Sequence, residues 1–153
     1  MTVESAGGAR EELRSRLRHE PVPPDTATVV RGGPDGIEKL RSHARRTNRA
    51  WCLDGVPLYG VSVFCVIDDV GPASLEGLLS ARLMTYRVVH LTTVATLAAA
   101  GFWLLATGRR PHYTVALDSD GDDDLARLLD CLGPPRDNRY HRVGHQGFEG
   151  RRP

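Results

Sequence analysis

Between positions 109 and 114 the chain places two guanidinium groups, an imidazole and two hydroxyls: Arg109, Arg110, His112, Tyr113 and Thr114. Residues two apart on a strand share a face, so His112 and Thr114 would look the same way. Paired arginines can hold a phosphate, and an imidazole can move a proton near neutral pH. Cutting RNA without a metal needs a base for the 2′-hydroxyl, a cation for the phosphorane and an acid for the leaving oxygen. His112 suits the first role, Arg109 or Arg110 the second, and His90 or Tyr113 the third.

Two further stretches carry candidate binding groups. Lys39, Arg41, Arg45, Arg46 and Arg49 crowd one segment and form the densest basic run, a source of phosphate contacts with Arg45 near its middle. Arg31-Gly32-Gly33 ends an apolar run, where glycines let backbone come close to a ligand, and Ser62 is the one polar group well inside a later apolar run. The acids from Asp118 to Asp124 lack the glycine and glutamate placement of a calcium loop and read as a solvated helix start, so no metal is expected. Cys52, Cys65 and Cys131 have no C-x-x-C spacing and predict neither a zinc site nor a disulfide framework.

Two family resemblances rest on these residues. His112-Tyr113-Thr114 resembles half of the paired H-x-T motif of two-histidine phosphoesterases. The second copy would be His90-Leu91-Thr92, only 22 residues away and much closer than in that family, so the family is not carried over. Arg31 followed by glycine, with Ser62 on a later strand, is similar in kind and order to the core of ADP-ribosyltransferase-fold enzymes. That resemblance implies NAD as cofactor, held by Arg31 and Ser62. The chain departs from it in having no glutamate between Glu76 and Glu149.

The elements that must position these groups follow from apolar periodicity and turn residues. Thr26 to Val30, Leu58 to Ile67, Tyr86 to Leu91, Phe102 to Ala106 and His112 to Leu117 read as strands. Helices are expected after Asp35, whose Glu38 completes a capping box, after Ser74, after Thr92 or Thr93, and over Leu125 to Leu132 ahead of Gly133 and Pro134. Gly101 stands where a helix ends, and the last two strands are a loop's length apart and should pair as a hairpin. Met84 to Leu117 therefore reads as one unit, strand, helix, strand, turn, strand, around which the rest is arranged. The expected fold is α+β, a single domain over 25–134 with a mixed, mostly antiparallel sheet of about five strands and helices packed on it. Polar tails over 1–24 and 135–153 flank it, the second basic.

Composition narrows the function classes without choosing one. At 153 residues the chain can bury a core without staples, and a formal net charge of +1 announces no partner by itself. Lys39 is the only lysine, so arginine carries nearly all the positive charge. The charged opening residues read as no secretory signal, and no apolar run is long enough to span a bilayer, so a reducing cytoplasmic location is expected. The leading expectation is an RNA-binding or RNA-acting protein, in its catalytic form a toxin-like, metal-independent endoribonuclease. A NAD-dependent ADP-ribosyl transferase is the alternative, and a non-catalytic binding or regulatory module the third reading. An exposed edge strand leaves pairing into a homodimer open.

Overall fold

A computed structural model describes residues 22–51, 59–106 and 110–142. Among the described residues six strands form one sheet: β1 (Thr28–Gly33), β2 (Tyr59–Cys65), β3 (Val88–Thr93), β4 (Trp103–Leu105), β5 (His112–Leu117) and β6 (Arg136–Asp137). Their order across the sheet is β4-β5-β2-β1-β3-β6. Among the described residues every pairing is antiparallel, in keeping with the expected α+β class and mostly antiparallel sheet, which has six strands where about five were expected. The sequence-predicted unit from Met84 to Leu117 is not the centre. Its first strand, β3, pairs beside β1, whereas its hairpin, β4-β5, lies on the far side of β2.

Four helical segments among the described residues cover the two faces: α1 (Ile37–Trp51), α2 (Leu75–Gly77, continuing as a π turn over Leu78–Arg82), α3 (Val94–Ala99) and α4 (Asp122–Leu132). Leu40 and Ala44 of α1 and Leu125, Leu128 and Leu132 of α4 recur at helical spacing. They pack with Val29, Val61, Val63 and Val115 into the larger core. That defines the inner face of the sheet. On the outer face Val30 and Val89 meet Leu78 and Leu83 from α2 and its end, with Phe64 and Leu91 alongside.

Local signals act as their chemistry predicts. The Ser74 side chain accepts a hydrogen bond from the Gly77 N–H and caps α2, and the Thr93 hydroxyl accepts one from Thr96 N–H to start α3. Gly101 takes φ 94° after α3 and Gly133 takes φ 71° after α4, conformations that favour glycine. Past α4, β6 pairs with Val88 and Val89, so residues 135–142, assigned to a loose tail by their polarity, contain a strand. Buried Asn138 then staples the segment down. Its backbone N–H donates to Arg87 O at 2.8 Å, and its Nδ2 lies 3.0–3.2 Å from the carbonyl oxygens of Leu79, Leu83 and Tyr86.

Candidate functional site

β1 runs into Arg31-Gly32-Gly33-Pro34-Asp35, and this turn holds the tightest polar cluster among the described residues. Arg31 sits on the inner face with its guanidinium buried. Its Nε donates to Asp35 Oδ2 at 2.7 Å and its Nη2 to Oδ1 at 3.3 Å, while Nη1 donates to Ser62 O at 2.7 Å. The Asp35 carboxylate is fully buried, with Lys39 Nζ 3.8 Å from Oδ1. The expected capping box is replaced by this pairing: Asp35 turns to Arg31, and Glu38 turns to Arg41.

His90 completes the cluster from β3. Its register partner is Arg31, and its ring is 1% exposed. The Asp35 N–H donates to Nε2 at 3.0 Å, and Nδ1 lies 2.9 Å from the Gly133 carbonyl oxygen. An amide N–H can only donate and a carbonyl can only accept, so the hydrogen is on Nδ1 and the lone pair on Nε2. Both nitrogens are thereby committed. The 3.9 Å separation of Nε2 from Asp35 Oδ2 is then a contact with a neutral ring and no ion pair. The ring packs so closely on Gly33 that an added Cβ there would lie 2.8 Å from its Cδ2 and Nε2. Arg31, Asp35 and His90 thus form a brace linking β1, β2, β3 and the end of α4.

His112 lies elsewhere. Register pairs it with Phe64, whose side chain belongs to the outer cluster, whereas His90 pairs with Arg31 on the inner face. Two strands, β2 and β1, stand between β5 and β3. Three interstrand spacings put the two backbones about 14 Å apart, with the imidazoles on opposite sides. No single bound phosphate can meet both rings. Ser62 is an exposed outer-face residue that reaches Arg31 only through its carbonyl.

The other sequence-selected groups also separate. Tyr113 is buried on the inner face, and with Arg110, Asp68 and Asp69 it lines an open groove of about 560 Å³ beside Pro23 and Pro24. Arg109, Cys52 and most of the polar tail over 1–24 lie outside the described residues. Arg45 donates to Asp120 Oδ2 at 2.6 Å, which holds that carboxylate below its usual range, and Arg41 pairs with Glu38 and Asp122. The acidic loop thus pairs with two of the five cations of α1, Arg41 and Arg45. His43, half-buried on the same helix, is held below the ordinary imidazole range by burial, then by Arg31 and Arg46. Cys65 is a core thiol pushed up to about 12 by burial, far from nucleophilic use.

Comparison with protein-family models, curated proteins and solved structures yields no match. The site has to be read from its own chemistry.

What the tertiary structure assembles is a cationic and aromatic surface on the outer face around α2. Pairing of β6 with β3, together with Asn138, brings Arg136, Arg139 and Tyr140 beside Arg82, Tyr86 and Arg87. Tyr86 is 38% exposed and lies over Gly32, where an added Cβ would be 2.6 Å from its ring carbons. Arg139 lies 5.0 Å over the Tyr140 ring and 3.7 Å from Glu76, and the Tyr140 hydroxyl bonds to Glu76. Among the described residues Arg82, Arg87, Arg136 and Arg142 are exposed and make no ion pair. Next to them, the Arg82 guanidinium carbon is 5.4 Å from the Phe64 ring centroid, and His112 meets that ring edge-on at 5.6 Å. Burial, then the Arg82 charge, holds the His112 imidazole below its ordinary range.

Sequence reasoning missed Phe64, Arg82, Tyr86, Arg87, Arg136, Arg139 and Asn138. A signal was present: RLMTYR at 82–87 and RDNRYHR at 136–142 each interleave arginine with tyrosine. Only pairing at the sheet edge makes one surface of them.

Proposed function

We propose that this chain is a non-catalytic module that binds single-stranded RNA through the outer face around α2. The observation that carries the reading is the juxtaposition of 82–87 with 136–142 by β6 and Asn138, which concentrates unpaired arginines, the exposed Tyr86 ring and the half-buried Tyr140 ring on one side of the sheet. Single strands are held by cations along the backbone and by π surfaces for the bases, and this face offers both. The helix α1 is the poorer candidate, because Arg41 and Arg45 already have carboxylate partners.

No reaction forms part of the proposal. His90 has both ring nitrogens engaged by backbone groups, and His112 is on the opposite side of the sheet, so the acid and base of a nuclease do not meet. The dinucleotide reading is not carried forward either. The Arg31 guanidinium is spent on Asp35 and Ser62 O, and the Ser62 side chain is on the other face.

Fluorescence anisotropy with a labelled single-stranded RNA tests the proposal. Three phosphates neutralised by Arg87, Arg136 and Arg142 imply about an 18-fold loss of affinity between about 50 and about 200 mM salt, from a slope of about −0.7 per contact. The double variant Arg87→Glu/Arg136→Glu should bind far more weakly with a shallower salt slope, while Arg46→Glu/Arg49→Glu on α1 should bind nearly as the parent does. No binding at the lower salt, or a double reversal without effect, overturns the proposal.

A further inference from the structure

The chain treats its two strand histidines differently. His90 has each ring nitrogen matched to a backbone group, whereas the half-buried His112 ring makes no hydrogen bond among the described residues. The His112 ring nitrogens keep contact with solvent beside the exposed Arg82 guanidinium, so both groups are free to meet a bound partner. The surroundings are built rather than incidental. The β2–β5 register sets Phe64 opposite His112 and Ser62 opposite Thr114, all on the outer face, and the Phe64 and His112 ring planes stand at 80°. Arg82 reaches over from the π turn at the end of α2 to the Phe64 ring while staying exposed. Ser62, also exposed, adds a hydroxyl two residues along the same strand face.

Resting on the RNA-binding reading above, we propose that Phe64, Arg82, His112 and Ser62 form a subsite for one unstacked nucleobase of the bound strand. Arg82, backed by Phe64, provides the surface on which the base stacks, since a guanidinium plane takes the π-face of any base. His112 and Ser62 meet the base edge. A neutral imidazole supplies one donor and one acceptor there, and the burial and Arg82 charge that depress its protonation keep it in that form near neutral pH. The neighbouring arginines take the flanking phosphates. An acidic peptide has the charge for the rim but no nucleobase for the subsite.

The test compares three probes on the full chain: an oligouridylate of about 12 nucleotides, an abasic ribose-phosphate strand of equal length, and a polyglutamate of equal charge. The parent should bind the oligouridylate about tenfold more tightly than the abasic strand. His112→Ala and Arg82→Gln should bring that ratio close to one, and Arg82→Lys, which keeps the charge and loses the plane, should hold the abasic strand as the parent does without restoring the ratio. Arg87→Glu/Arg136→Glu should weaken both strands alike and leave the ratio unchanged. Thermal unfolding of each variant confirms that it is folded. If the parent binds both strands equally and still responds to salt, the base subsite is wrong and the RNA face stands. If polyglutamate binds as tightly as either strand, or no strand binds, the RNA reading itself falls.

Discussion

Removing one charge of the Arg31–Asp35 pair should hurt this fold more than removing both. The carboxylate is fully buried and the guanidinium nearly so, with Nε–Oδ2 at 2.7 Å. At an effective dielectric of about 20, unit charges about 4 Å apart attract by about 4 kcal/mol. Asp35→Leu leaves a buried guanidinium with Ser62 O as its remaining acceptor, and Arg31→Met leaves a buried carboxylate with Lys39 at 3.8 Å as its remaining cation. Each single change should lose about 3–5 kcal/mol, the usual penalty for an orphaned buried charge. In a chain of this length a loss of about 3 kcal/mol lowers Tm by roughly 6–12 °C. The double variant Arg31→Met/Asp35→Leu removes both charges, orphans only the Ser62 carbonyl, and should lose about 1–2 kcal/mol. Urea unfolding followed by far-ultraviolet circular dichroism measures all four proteins, with a constant m-value as the check that only stability has changed. Single variants within about 1 kcal/mol of the parent, or single losses that add up to the double within about 0.5 kcal/mol, would refute the idea that this turn is a desolvated, coupled brace.

Gly33→Ala should destabilise by about 1–3 kcal/mol in the same urea assay, because its Cβ meets a His90 ring that two hydrogen bonds hold in place. Gly36→Ala has open space around the added Cβ and should stay within about 0.5 kcal/mol of the parent. Asn138→Ala removes the donor lying among the carbonyls of Leu79, Leu83 and Tyr86, so it should lose about 1–3 kcal/mol and open Arg136, Arg139 and Arg142 to limited trypsin cleavage; unchanged protease resistance would count against the staple. Stability should fall on acidification. His112 and His43 are shifted below the ordinary 6.5, so the unfolded chain takes up their protons first as pH drops through that value, and the loss continues until the folded-state pKa is passed. Tm measured from about pH 7 down to about pH 5 should decline, and less steeply in His112→Gln; equal slopes would refute the assignment.

The larger core, with the α+β class, was legible because apolar periodicity reports burial directly. Leu40 and Ala44 on α1, Leu125, Leu128 and Leu132 on α4, and the β-branched run through Val61 and Val63 could only face inward. Helix and turn ends at Ser74, Thr93, Gly101 and Gly133 were legible for a different reason. Their hydrogen bonds and backbone angles involve neighbours only a few residues away, so residue type decides them.

The sequence by itself thus determined the kinds of element, most of their ends and which side chains avoid water. Only the tertiary structure decided that β1 would separate β2 from β3, which puts the two strand histidines on opposite faces and turns Arg31 inward onto Asp35. It likewise decided that a short polar strand near residue 136 would complete a cationic surface with residues 82–87. The reason is that strand order and register come from the summed burial of many side chains distant along the chain. A shift of one residue in that sum sends every side chain of a strand to the other face, and no local spacing records it.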